Sequence, residues 1–201
     1  MDEIAPGVWH WTAKHERIHA TVSSYYMSEE RVLLDPMLPA EGVEWFKSHG
    51  EPAYVVLTNR HHDRQAWRLH DAFGCDVLCV RNGCHELAGR GPVTPFDFGD
   101  HLPGGIVVHE VGAICPDETA LHIPAHKALA CGDGVVEWPG KTGLSFVPDE
   151  LMDDPEDTKR ALAAAYRSLL GLDFDLLLLA HGEPVLGGAK AALEALFADL
   201  A

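Results

Sequence analysis

Thr58-Asn-Arg-His-His-Asp-Arg64 sets two histidines, one aspartate and two arginines side by side, directly after the apolar run that ends at Leu57. Imidazole and carboxylate are the donor types that hold zinc, manganese or iron, and both can move protons. Guanidinium supplies a fixed positive charge with directed N–H donors. Three more polar segments follow other apolar runs: Gly112-Ala-Ile-Cys-Pro-Asp-Glu118, Cys131-Gly-Asp-Gly134 and Ala180-His-Gly-Glu-Pro184. If these strand ends meet, His61, Asp63, Asp133 and His181 form a mixed nitrogen and oxygen donor set, lined by Asn59, Arg60, His62 and Arg64. Taken one at a time, the residues have plainer readings. Asn59 caps a helix, Asp63 suits that helix's first turn, and His181-Gly182 is an ordinary turn.

Positioning these groups requires strands that end at them. Val8–Trp11, Thr21–Tyr26, Arg31–Asp35, Tyr54–Thr58 and Asp76–Val80 read as strands from their β-branched and apolar content. Ile106–Glu110, Thr119–Ile123 and Ala128–Cys131 read as an antiparallel meander, and Asp175–Leu179 as a late buried strand. Helices are expected over Ala40–Ser48, from Asn59 to about Phe73, over Pro155–Leu170 and over about 187–200. In the third of these, Leu162, Ala165, Tyr166, Leu169 and Leu170 fall on one face. Residues 82–105 are rich in glycine and proline and read as mostly loop. Residues 81–101 are expected near the mouth of the pocket. Mixed strands and helices along the whole chain imply an α/β (α+β) fold, with helices outside two packed sheets, organised as one domain over residues 1–201.

The order and spacing of the four segments resemble the metallo-β-lactamase superfamily, and the resemblance covers nearly the whole chain. It implies a four-layer αββα sandwich. That family's Thr-His-x-His-x-Asp-His motif maps onto residues 58–64, its Gly-His turn onto Gly112-Ala113, its Gly-Asp onto Gly132-Asp133 and its late His-Gly onto His181-Gly182. Asn59, Arg64 and Ala113 stand where the family has ligating histidines, whereas His61, Asp63, Asp133 and His181 are retained. Of the first metal's ligands only His61 and Asp133 remain, too few for a catalytic zinc. The second site keeps Asp63, Asp133 and His181, with His61 or His62 as a fourth donor, and this set fits one zinc, manganese or iron ion.

Arg64 offers the alternative. A guanidinium between Asp63 and Asp133 would neutralise them as a cation does, and would exclude the ion. Two like unit charges 4 Å apart repel by about 4 kcal/mol at an effective dielectric of 20, and a divalent ion doubles that. Two functions follow from the resemblance. One is a mononuclear metallohydrolase acting on an ester, thioester, lactam or phosphoester bond, with Asp63 or His61 handling protons. The other is a metal-free member that binds a small ligand or acts as a scaffold.

The remaining sequence narrows the partners. With 15 lysines and arginines against 31 aspartates and glutamates, the formal charge is −16. Nucleic acid and anionic membrane surfaces are repelled by such a chain, and no basic patch offsets it. A small-molecule substrate or ligand is the expected partner, and a homodimer is compatible with the composition. The five cysteines show no zinc-ribbon spacing and read as free thiols in a reducing, cytoplasmic setting. A zinc cluster of His70, Cys75, Cys79, Cys84 and His85 is disfavoured by its irregular spacing. The acidic N-terminus does not read as a secretion signal, and the longest aliphatic run, Leu176–Ala180, is too short to span a bilayer.

Overall fold

A computed structural model describes residues 1–198 and residue 200. The first sheet holds seven strands in chain order: β1 (Asp2–Ala5), β2 (Val8–Lys14), β3 (Thr21–Met27), β4 (Val32–Leu34), β5 (Tyr54–Val56), β6 (Asp76–Val80) and β7 (Thr94–Phe96). Strands β1 to β4 run antiparallel as hairpins, and β4 to β7 run parallel. The second sheet holds β8 (His101–Leu102), β9 (Ile106–Glu110), β10 (Thr119–Ile123), β11 (Ala128–Cys131) and β12 (Leu176–Leu179) in the order β12-β11-β10-β9-β8. The expected meander is present with its expected boundaries, and β12 joins it parallel to β11.

The period-two alternation of these strands builds the layers. Tyr25, Met27, Val56, Leu78, Val80, Leu121, Ile123, Ala130 and Leu178 point between the two sheets. Tyr26, Val55, Val77 and Cys79 point outward, against α1 (Glu44–His49) and α2 (Ala66–Phe73). Leu129, Cys131, Leu177 and Leu179 point outward from the second sheet, against α3 (Pro155–Leu169) and α4 (Ala189–Phe197). The result is the four-layer αββα sandwich.

Several local readings change. The helix expected from Asn59 to Phe73 is broken: a 3-10 turn covers Arg60–His62, and α2 begins only at Ala66. The break falls at Arg64, whose φ is +37°. Asp63 therefore precedes α2 rather than sitting in its first turn. Helix α1 starts at Glu44, four residues later than expected, and α4 covers Ala189–Phe197 of the expected 187–200, with residue 199 outside the described residues. Residues 82–105 are more ordered than their composition suggests. They contain β7, β8 and 3-10 turns over Arg81–Leu87 and Pro103–Gly105. All five cysteines are free of disulfides, and the possible metal-holding group found among the described residues is His62, Asp133 and His181, which includes none of them. Among the described residues, no helix is long and apolar enough to cross a membrane.

Candidate metal centre

The segments that follow β5, β11 and β12 converge on one cavity of about 790 Å³. Its wall includes Arg60, His61, His62, Asp63, Arg64, Asp133 and His181. The segment expected at the mouth contributes Glu86, Leu87 and Arg90.

At the centre lies a group of three donors. One ligand atom each from His62, Asp133 and His181 lies within 4.8 Å of the other two. The Nε2 atoms of His62 and His181 are each 3.2 Å from Asp133 Oδ1. Asn59 donates from Nδ2 to the other Asp133 oxygen at 3.2 Å, while its Oδ1 accepts from the His61 N–H at 2.9 Å. Asn59 thus caps the 3-10 turn and orients Asp133, in the place where the resemblance puts a ligating histidine.

Behind His62 stands Asp35, just past β4. Its carboxylate accepts from the Thr58 N–H at 2.8 Å and from the Thr58 hydroxyl at 2.6 Å. His62 Nδ1 lies 2.9 Å from Asp35 Oδ2. The imidazole is therefore aimed from the rear, with Nε2 forward, the arrangement that carboxylates impose on metal-ligating histidines. Burial would lower the pKa of His62, but the charges of Asp133 and Asp35 outweigh it and raise it to about 9. For Asp133 burial works upward, yet His62 and His181 hold its carboxyl well below the usual range.

This donor group differs from the expected one. Asp63 is buried in the same wall, but its carboxylate is taken by two guanidiniums, Arg17 Nη2 at 3.2 Å and Arg90 Nη1. It is not among the three converging donors, and neither is His61, whose exposed side chain lines the cavity. Arg64 does turn inward, but it does not bridge Asp63 and Asp133. Its guanidinium donates to the carbonyl oxygens of Ser23 (2.6 Å), Asp35 (2.6 Å) and Ala180 (3.2 Å). Arg60 leaves the metal region for Asp117 and Glu86.

Four acidic or basic residues join the site that the sequence reading does not single out. Asp35 closes the buried run Val32–Leu34, and a carboxylate in that position is the one available signal. Glu118 is fully buried against the Gly134 N–H. Burial, then the charge of Asp133, raises its pKa to about 8. Arg17 and Arg90 lie in loops with no local pattern to mark them.

Among the described residues one group of three donors is placed to hold an ion. Two imidazoles and one carboxylate on one face suit zinc or a first-row transition metal. Asp63, beside them in the wall, is paired with two arginines. No family model and no curated protein matches the chain. Solved structures do. DIM-1 metallo-β-lactamase is 16% identical with a TM-score of 0.72, over 96% of each chain. TTHA1623, solved in a di-iron-bound form, is 23% identical with a TM-score of 0.64, over 92% of this chain and 96% of that one. The metallo-β-lactamase family protein TTHA1429 from Thermus thermophilus is 14% identical with a TM-score of 0.68, over 98% of this chain and 80% of that one. The chain has the metallo-β-lactamase fold.

Proposed function

We propose that this protein is a hydrolase-like enzyme working with a single metal ion held by His62, Asp133 and His181. The convergence of those three donors, with Asp35 fixing His62 from behind, is the observation that carries the reading. A bound zinc, manganese or iron ion would supply an activated water and a polarised ester, thioester, lactam or phosphoester bond. The chain's own residues do the rest. Asp35 keeps the Nδ1–H tautomer of His62, and Asn59 holds Asp133 so that Oδ1 faces the histidines. His61, exposed in the cavity wall, is assigned proton transfer, because Asp63 is engaged by arginines. The ligand is a small molecule, and the five free cysteines are in keeping with a reducing, cytoplasmic setting.

One observation favours a second reading, a metal-free binder. His62 lies between Asp35 and Asp133, so a protonated ring would satisfy both carboxylates without any ion. Metal analysis of protein purified without added metal separates the two. About one equivalent, lost in Asp133→Ala and in His181→Ala with the circular dichroism unchanged, is expected of the enzyme. Well under about a tenth of an equivalent in the folded wild type would leave the binder.

A further inference from the structure

The cavity's outer wall carries charge that the metal centre does not use. Arg17 comes from the loop between β2 and β3, and Arg90 from the segment after β6. Both pair with the same carboxylate, Asp63, which is 4% exposed, while their own side chains are 59% and 43% exposed. Two guanidiniums on one carboxylate leave one positive charge uncompensated. Neither guanidinium has another acceptor among the described residues. In a chain of net charge −16, this local positive excess around Asp63 is the opposite of the average surface, while Arg60, shared between Asp117 and Glu86, leaves a negative excess at a separate point of the wall. His15 lines the same cavity, is 7% exposed, and has a buried Nδ1 without a partner.

Apolar side chains share the opening with these charges. Among the described residues three large hydrophobic side chains are prominently exposed, and two of them, Ile18 at 57% and Leu151 at 60%, line this cavity. Ile18 follows Arg17 directly in the chain. Ile114, Val147 and Trp138 add to the apolar part of the lining. Exposed apolar side chains gathered at one opening mark a place where an apolar ligand surface is covered.

We propose that the pocket selects a small amphipathic acid: an oxyanion group, carboxylate or phosphate, bound by Arg17 and Arg90 beside Asp63, with an apolar body against Ile18, Leu151 and Trp138. This deepens the hydrolase reading by naming its substrate class. Planar guanidinium forks match both oxyanions in two-point geometry, and each carries N–H donors left over from Asp63. A neutral or cationic ligand of the same length gains only the apolar contacts.

Calorimetric titration of four eight-carbon probes tests this in protein kept in chelator: octanoate, octyl phosphate, octanol and octylamine. Octanoate and octyl phosphate should bind at least about tenfold more tightly than octanol, a difference of about 1.4 kcal/mol. Octylamine should bind no better than octanol. Arg17→Gln, at an exposed position that leaves Arg90 on Asp63, should cut the acid preference several-fold and leave octanol unchanged. Asp63→Asn should strengthen octanoate by removing the internal competitor. Equal affinity for octanoate and octanol, or an acid preference untouched by Arg17→Gln, overturns the proposal. Octanoate binding that appears only when zinc is added overturns it too, because the ion and not the arginines would then hold the acid. Acid-selective binding in protein that takes up no metal supports it, and overturns only the metal-ion reading.

Discussion

Arg64 stands where the resemblance puts a metal-facing histidine, and its guanidinium serves the backbone instead. It joins carbonyl oxygens of Ser23 in β3, of Asp35 after β4 and of Ala180 after β12, so one side chain ties the two sheets together at the floor of the site. Arg64→Met should remove every guanidinium donor and leave each of those carbonyls one partner short, although Asp35 keeps the Ser24 hydroxyl and Ala180 the Ser23 N–H, costing about 2 kcal/mol or more in urea unfolding. Arg64→Lys should recover only part of that, since an ammonium lacks the fork. A loss below about 1 kcal/mol for Arg64→Met would refute the bridging role. Glu118 makes a different prediction. Its pKa is about 8 in the folded chain against an ordinary 4.5. The folded state therefore keeps a proton that the unfolded state has lost. The associated stability is whole below about pH 4.5 and drains away as pH rises towards 8. Glu118→Gln keeps an acceptor for the Gly134 N–H and cannot ionise. Its stability relative to wild type should grow by about 1 kcal/mol per pH unit between about pH 5 and 8, and a flat difference would mean the carboxyl titrates normally.

Elements were legible where one local pattern decided them. The meander, α3 and β12 follow from period-two or helical spacing and match within a residue or two. The stretch after Asn59 was not legible, because what breaks it is tertiary: Arg64 is drawn to three carbonyls on other strands, and its backbone sits at φ +37°. The same break decides which histidine faces the site. A 3-10 turn rotates about 120° per residue, so His61 and His62 cannot point the same way, and sequence order alone does not choose between them. The strand ends were therefore readable, but the donor set at the first of them was not. At the last strand end Gly182 has φ +96°, and a Cβ there would lie 2.4 Å from Glu137 Cβ and 2.7 Å from its carbonyl oxygen. Ser23 also donates to the Gly182 carbonyl at 2.6 Å. Gly182→Ala must move the turn that carries His181. It should lower metal uptake at least about tenfold and unfolding stability by about 2 kcal/mol or more, whereas an unchanged variant would show that the turn does not fix His181.

At the scale of the whole molecule, the site is a seam. His62 belongs to the first sheet's strand ends, and Asp133 and His181 to the second's, so an ion at their centre would bind only when both sheets are packed. Arg64 spans that seam without an ion, so the two readings of function differ in a measurable way. Zinc at about 100 times its Kd should add about 2.7 kcal/mol to unfolding. For a chain of this length that raises Tm by about 5–10 °C. His181→Ala should lose the shift while keeping the Tm it has in chelator close to that of the wild type, because the Arg64 bridge remains. Arg64→Met should do the reverse, melting lower in chelator and still gaining from zinc. Should zinc leave the wild-type Tm where chelator puts it, the seam is closed by protein contacts alone, among them Arg64, the His62 ion pairs and the Ser23 and Tyr25 hydrogen bonds to the second sheet, and the pocket is a binding site without a metal.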